Sequence, residues 1–465
     1  MSHEKMEKKI KVNAPVTMGK EYELKIERMG SNAEGVSHVD GFAVFVKGAL
    51  AGEVVVGKVT LVKKNYAVAD VKKWLRKSAD RVEPKCDIYY ECGGCQMQHI
   101  SYEAQLRIKR QQVIDAIEHI GKQKNVDVLA TIGAKNPWNY RNKMMFPVGS
   151  DNGSIQIGCF AQGTHRIIDT KCCYIQNEIN NDIANAVREA LTRYKVPVYD
   201  EDRHTGILRH VIGRVGRGGK AMVVFVTARD DFPKAKEIGL FLRKRIPSLI
   251  SIQQNIQTYR NNVIMGRDTK VLWGKATIDD SIGELKFHIS PRSFFQVNTA
   301  QAEVLYSKAL EYANLSGEET VIDAYCGTGT ITLFLARRAR KAYGIEIVAP
   351  AIQDAKKNAR DNHVRNAEFI VGDATAVMPR LYKEGVRADV IVVDPPRAGC
   401  SEKVLKTIAS MKPKRVVYVS CNPATLARDL SILEVLGYKA QKVQPVDMFP
   451  MTSHVESVAL ITRVK

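Results

Sequence analysis

Val321-Ile322-Asp323-Ala324-Tyr325-Cys326-Gly327-Thr328-Gly329-Thr330 decides the fold, because it reads as an apolar strand running through a glycine loop into a helix. Glycines there let the backbone approach a ligand closely, and the helix start offers N–H groups without partners. A second strand ends in Tyr343-Gly344-Ile345-Glu346, 23 residues beyond Asp323. A carboxylate at that point can accept both hydroxyls of an adenosine ribose. Two cofactors fit this pattern, a dinucleotide and S-adenosylmethionine. The dinucleotide fingerprint asks for Gly or Ala where Thr332 stands, and its pyrophosphate asks for few acids nearby. Asp323 suits a cationic sulfonium better. With Glu346 and with Gly372-Asp373 after a third strand, it favours S-adenosylmethionine.

Around this unit, strand signals at 320–323, 342–345, 367–371, 390–393, 416–419 and 455–461 alternate with helical stretches near 330–340, 351–362, 402–411 and 424–436. Such alternation predicts a parallel sheet wrapped by helices, with ligands at the carboxyl ends of the strands. Upstream of about residue 282 the pattern becomes mixed α+β, with strands expected near 207–215 and 221–227 and a helical run over 102–120. Between Glu21 and Trp74 short alternating runs, punctuated by Gly30, Gly35, Gly41 and Gly52, predict a small β-barrel of the oligonucleotide-binding kind. There Lys58, Lys63, Lys64, Lys72, Lys73, Arg76 and Lys77 stand against the single acid Asp70, as a strip that tracks phosphates or as lysines guarding a strand edge.

The later strands carry the reactive groups. Val416–Val419 is followed by Ser420-Cys421-Asn422-Pro423, in which Asn422 is a natural N-cap and Pro423 suits the first helical turn. Cys421 is thereby expected at a helix N-terminus, where a thiol pKa falls and the sulfur faces the ligand edge; a small buried residue is the equal alternative. Val393-Asp394-Pro395-Pro396-Arg397 holds a carboxylate in a stiff turn beside the cofactor. In His454-Val455-Glu456 the period of two sets His454 and Glu456 on one face. Thiol, methyl donor and carboxylate suit one chemistry. Carbon 5 of uracil is a poor nucleophile until a thiolate adds to carbon 6, after which it can take a methyl group, and a base must then remove its proton so that the thiolate leaves. A base that enters such a pocket leaves its stack, and Phe294-Phe295-Gln296-Val297-Asn298 offers aromatics and amides to receive it.

Cys86, Cys92 and Cys95 form C-x5-C-G-G-C, with Cys172-Cys173 further on. Three spaced thiols and a distant fourth predict a metal site, zinc or an iron–sulfur cluster. All of this sits in a chain of 465 residues, 45% hydrophobic and 26% charged, which excludes wholesale disorder and suggests several domains. Seventy Lys and Arg against 50 Asp and Glu leave +20, a balance that points to a polyanion partner. No apolar run approaches the roughly 18 residues of a spanning helix. The opening MSHEKMEKKIKVN is too charged for a signal peptide, so a cytoplasmic protein is expected, with its nine cysteines reduced.

These motifs resemble, over nearly the whole chain, the RNA uracil-5-methyltransferase family, in particular its branch acting on bacterial 23S ribosomal RNA. The resemblance implies three domains: an OB-like β-barrel of the TRAM type at 14–76, a central α+β domain with a metal cluster at 77–283, and an α/β Rossmann-like S-adenosylmethionine methyltransferase domain at 284–465. The TRAM likeness includes Gly35-Val36 and Gly41-Phe42. C-G-G-C-Q-M-Q-H from Cys92 resembles the family's [4Fe-4S] signature, and I-I-D-T-K-C-C-Y-I-Q from Ile167 its fourth-ligand segment. The implied ligands are Cys86, Cys92, Cys95 and Cys173, with Cys172 an extra thiol and zinc the alternative metal. By the same likeness Gln296, Tyr325, Glu346 and Asp394 bind the cofactor, Cys421 is the nucleophile, Glu456 the base, and Phe294 stacks near the target. RNA is the expected partner, with no membrane and no obligate protein. Transfer RNA is the alternative substrate. The rival classes are a non-catalytic, metal-stapled RNA-binding protein and, more distantly, a dinucleotide oxidoreductase.

Overall fold

A computed structural model describes residues 14–464; the charged opening stretch 1–13, read above as no signal peptide, and Lys465 lie outside the described residues. Two compact units result: residues up to Pro84 together with Gln96–Ile108, and Lys85–Cys95 together with the chain from Lys109 onward. Among the described residues no helix is long and apolar enough to cross a membrane.

In the first unit six short strands form one sheet in the order Glu21–Lys25, Val54–Val62, Tyr66–Arg76, Phe42–Lys47, Gly35–Val39, Arg28–Met29. Phe42–Lys47 and Tyr66–Arg76 run parallel; the other neighbours are antiparallel. Alternation sends Leu24, Val44, Val46, Val55, Val59 and Ala67 into a shared core. The basic strip stays outside: Lys63, Lys64, Lys72, Lys73, Arg76 and Lys77 are exposed and Lys58 half-buried.

Glu53 is fully buried in this unit and accepts from Leu50 N (2.9 Å), Trp74 Nε1 (3.2 Å) and Arg81 Nε (2.6 Å). Burial alone would raise its pKa, but Arg81 and the backbone N–H groups of Leu50 and Ser78 hold it below the ordinary glutamate value. Arg81→Met leaves that carboxylate without its counter-ion, and chemical unfolding of this unit is expected to show a loss of about 3–5 kcal/mol.

The second unit contains a seven-stranded sheet in which Leu208–Val215 and Ala221–Thr227, both anticipated in the sequence, are buried along their whole length. Val211, Val223 and Phe225 pack against helices Glu178–Tyr194 and Ala235–Arg245. Ile212, Met222 and Val224 point the other way. They share a core with the hairpin Ile278–Ile282/Leu285–Ile289, helix Thr299–Ala313 and one face of the C-terminal sheet. Residues 283 and 284, the expected domain border, form the turn of that hairpin.

The C-terminal sheet has eight strands, ordered Ala367–Val371, Lys341–Glu346, Thr320–Asp323, Val390–Val393, Arg415–Ser420, Glu456–Arg463, Tyr438–Val446, Asp127–Val128. The first five are parallel, as the alternation predicts. Glu456–Arg463 departs from that prediction, because it inserts antiparallel between Arg415–Ser420 and Tyr438–Val446. Lys and Gln alternating ahead of Pro445 hide Tyr438–Val446 from pattern reading, and Pro379 likewise hides helix Ala374–Lys383.

Candidate active site

Strand order reverses between Thr320–Asp323 and Val390–Val393, and a crevice at their carboxyl ends is where open α/β sheets bind ligands. Asp323 and Asp394 lie at those two ends. Gly327 and Gly329 turn the intervening loop at φ +52° and +83°, the left-handed region that glycine enters without a steric penalty. The Glu346 carboxylate accepts from Gly327 N (3.2 Å) and Val348 N (2.9 Å), so the loop and the next strand end are locked together. Asp323 is buried; its Oδ2 accepts from Thr332 Oγ1 (2.7 Å), while among the described residues Oδ1 has no partner, and burial pushes its pKa up to about 6.

An unpartnered buried carboxylate oxygen beside a glycine cradle fits a cationic adenosyl ligand. A Cβ on Gly329 would lie 2.8 Å from the Phe369 ring and 3.0 Å from Ala355 Cβ. Gly329→Ala is therefore expected to weaken S-adenosylmethionine binding at least about tenfold by titration calorimetry, because the left-handed backbone alone costs about 1–2 kcal/mol and the crowding adds to it.

Cys421 sits where its local sequence puts it. Asn422 caps helix Pro423–Val435, its Oδ1 accepting from Ala424 N (3.1 Å). Its Nδ2 donates to Arg397 O (3.1 Å), as Thr425 Oγ1 does (3.3 Å), so the S-C-N-P turn and the D-P-P-R turn are joined. The helix N-terminus was reason to expect a depressed thiol pKa. Instead desolvation, then the charges of Glu456 and Asp394, push Cys421 upward, and Arg397 only partly opposes them. Desolvation raises Glu456 to about 8, with Asp394 adding to it and Arg397 again opposing; desolvation raises Asp394 to about 7.

Cys421, Glu456, Asp394 and Arg397 thus act on one another electrostatically, although Arg397 and Glu456 are far apart in the chain. His454 precedes the strand, which starts at Glu456, so the period of two does not extend to it. Arg397 Nη2 donates to the His454 ring (3.0 Å to Nδ1), and burial with that guanidinium holds the imidazole pKa down. Gln296 Nε2 donates to Tyr306 OH (3.1 Å), and the charges of Asp394 and Glu456 reach that phenol. Tyr325 is half-buried, and Phe294 is 74% exposed. Arg214 and Asn142 carry no motif, yet they hold the Phe294 segment: Arg214 Nη2 donates to Ser293 O (2.6 Å) and Asn142 Nδ2 to Gln296 O (2.9 Å).

Away from this crevice the thiols of Cys86, Cys92, Cys172 and Cys173 lie within electrostatic reach of one another. Gly94 N donates to Cys92 Sγ (3.3 Å). The structure adds Cys159, whose thiol hydrogen-bonds Cys92 and holds its pKa down; no spacing in the sequence links the two. Among the described residues no three His, Cys, Asp or Glu side chains are gathered closely enough to hold a metal ion. The donor set is of the kind that takes zinc or an iron–sulfur cluster, and the N–H···S bond suits sulfur ligation.

A family model for tRNA (uracil-5-)-methyltransferases matches residues 248–464, and a TRAM domain model matches 15–72. The chain is 53% identical to an uncharacterized RNA methyltransferase of Halalkalibacterium halodurans, covering 97% of this chain and 99% of that one. It is 49% identical to an uncharacterized RNA methyltransferase of Clostridium tetani, over 97% and 98%. Among solved structures, the Pyrococcus abyssi tRNA (uracil-54, C5)-methyltransferase in complex with S-adenosyl-L-homocysteine superposes with a TM-score of 0.76 at 28% identity, covering 95% of this chain and 99% of that one.

Proposed function

The chain belongs to the S-adenosylmethionine-dependent RNA (uracil-5-)-methyltransferases, and from that premise we propose that it methylates carbon 5 of a uridine in 23S ribosomal RNA through a covalent Cys421 adduct, with Glu456 as the base. The observation that carries this reading is the placement of Asp394 and Cys421 just past the ends of neighbouring parallel strands, with Glu456 at the start of the antiparallel strand beside Cys421 and the Arg397 turn tied to Asn422. S-adenosylmethionine supplies an electrophilic methyl group. Glu346 and the glycine loop would hold its adenosine, Asp323 would face its cationic sulfonium, and Gln296, Tyr325 and Asp394 would complete the binding site.

The Cys421 thiolate would add to carbon 6 of the uracil, and the enolate so formed would take the methyl group at carbon 5 as the donor's sulfur–methyl bond breaks and S-adenosylhomocysteine leaves. Glu456 then accepts the carbon-5 proton, the double bond re-forms and the thiolate is expelled. The Arg397 charge opposes the upward shift of both groups and moderates the negative charge that builds there. Phe294 receives the flipped base. The basic strip of the TRAM domain suits a folded RNA. Transfer RNA is the second reading, favoured by what the Pyrococcus abyssi structure is named for. Mass-spectrometric mapping of 5-methyluridine with and without the gene decides: loss confined to 23S RNA supports the proposal, loss confined to transfer RNA overturns the substrate.

A base must be ionised to work. With Glu456 raised to about 8 and the Cys421 thiol also raised, turnover is expected to climb as pH rises through about 8. A kcat profile falling over that interval contradicts the assignment. For the thiol group, the proposed resident is a [4Fe-4S] cluster on Cys86, Cys92, Cys95 and Cys173, with zinc the alternative; no step of methyl transfer runs through it. Anaerobically purified protein is expected to be brown and to carry iron and sulfide. Cys173→Ser is expected to lose the colour while Cys159→Ser keeps it, and a colourless, zinc-loaded protein excludes the cluster.

A further inference from the structure

The segment between strands Tyr438–Val446 and Glu456–Arg463 delivers Glu456, and its backbone is tied down by side chains from elsewhere in the same unit. Consecutive carbonyls each accept a side-chain donor. Asp447 O takes Gln301 Nε2 (3.0 Å), Met448 O takes Asn298 Nδ2 (2.9 Å), Phe449 O takes Lys109 Nζ (3.1 Å) and Pro450 O takes Tyr140 OH (3.0 Å). Of these donors only Lys109 is charged. It also donates to Asp447 Oδ1 at 2.5 Å, and both side chains are fully buried.

A buried ion pair is a poor source of stability, since well-packed apolar residues commonly do as well. What an ammonium supplies instead is several donors from one point. Lys109 uses two of them on atoms two residues apart, the Asp447 carboxylate and the Phe449 carbonyl, and so specifies the path between them. Just beyond, Met451 turns at φ +68°, a left-handed conformation that a non-glycine side chain adopts only when its surroundings dictate it. His454 and Glu456 follow directly.

We propose that Lys109 is a positioning residue for the methyl-transfer reaction: clamped between Asp447 and the Phe449 carbonyl, it sets the course of residues 447–455 and thereby aims Glu456 at the carbon-5 proton. The proposal rests on the reading of Glu456 as the base, and it places Lys109 in contact with no reactant.

The test uses full-length enzyme carrying Lys109→Met, the double variant Lys109→Met/Asp447→Leu, which removes both members of the ion pair, and Lys109→Arg. Three readouts separate the steps: S-adenosylmethionine affinity, covalent trapping on 5-fluorouridine RNA, which needs the thiol but not the base, and turnover on ordinary RNA. Expected are affinity and trapping within about twofold of the parent, turnover lower by about tenfold or more, and accumulation of a methylated enzyme–RNA adduct, partly relieved in Lys109→Arg. Turnover within twofold in the double variant overturns the proposal. So does an equal loss of trapping and turnover, or a failure of all three variants to fold, because each marks a merely structural role. Glu456→Gln run in parallel tells the two readings apart: if it too accumulates no adduct, the base assignment fails first.

Discussion

Cys421→Ala is expected to abolish methylation of RNA, lowering turnover by at least ~10⁴-fold, the scale on which loss of a covalent nucleophile acts. Without the thiolate, carbon 5 keeps its low nucleophilicity, and neither the cofactor nor the base can compensate. S-adenosylmethionine binding should survive, because the residues proposed to hold it, Gln296, Tyr325, Glu346 and Asp394, stay intact in this variant. Parent enzyme should form a stable adduct with 5-fluorouridine RNA, since fluorine at carbon 5 leaves no proton to abstract; the alanine variant should form none. Methylation at parental rate by Cys421→Ala ends the covalent mechanism. A wild-type chain that transfers no labelled methyl group to any RNA would instead favour the non-catalytic RNA-binding reading.

Glu456→Gln is expected to act later and differently. The thiol and the methyl donor are untouched, so addition and transfer proceed, but removal of the carbon-5 proton slows by about 10²–10⁴-fold, the usual reach of general-base catalysis. A methylated covalent complex should accumulate on ordinary RNA and appear as a band of reduced mobility in denaturing gels. The share of the rising limb near 8 that Glu456 contributes should be lost, leaving the rise that belongs to the Cys421 thiol. Unchanged turnover, or a variant that forms no adduct at all, assigns the proton to another group.

The reach of sequence reasoning differs from motif to motif. The strand–glycine loop–helix unit at 321–330 was legible because its parts are chain neighbours and each obeys a local rule: apolar run, positive-φ glycine, helix start. Asn422 as N-cap was legible for the same reason. Tyr438–Val446 was not, because an edge-side strand with alternating Lys and Gln and a proline looks like a loop until Glu456–Arg463 pairs with it. Cys159 was passed over because no short spacing connects it to Cys92.

By itself the sequence determined the parallel nucleotide-type sheet and its glycine loop, and it singled out the thiols and carboxylates proposed for the chemistry, since propensities and motifs act over a few residues. Only the tertiary structure decided how those groups behave. It brings Lys109 to Asp447 across 338 positions and Arg397 to His454 across 57, pairings no local pattern encodes. It also reverses the electrostatics of the nucleophile. A helix N-terminus favours the thiolate through a local dipole, but burial beside two carboxylates disfavours it more strongly, because desolvation and like charge act through space rather than along the chain.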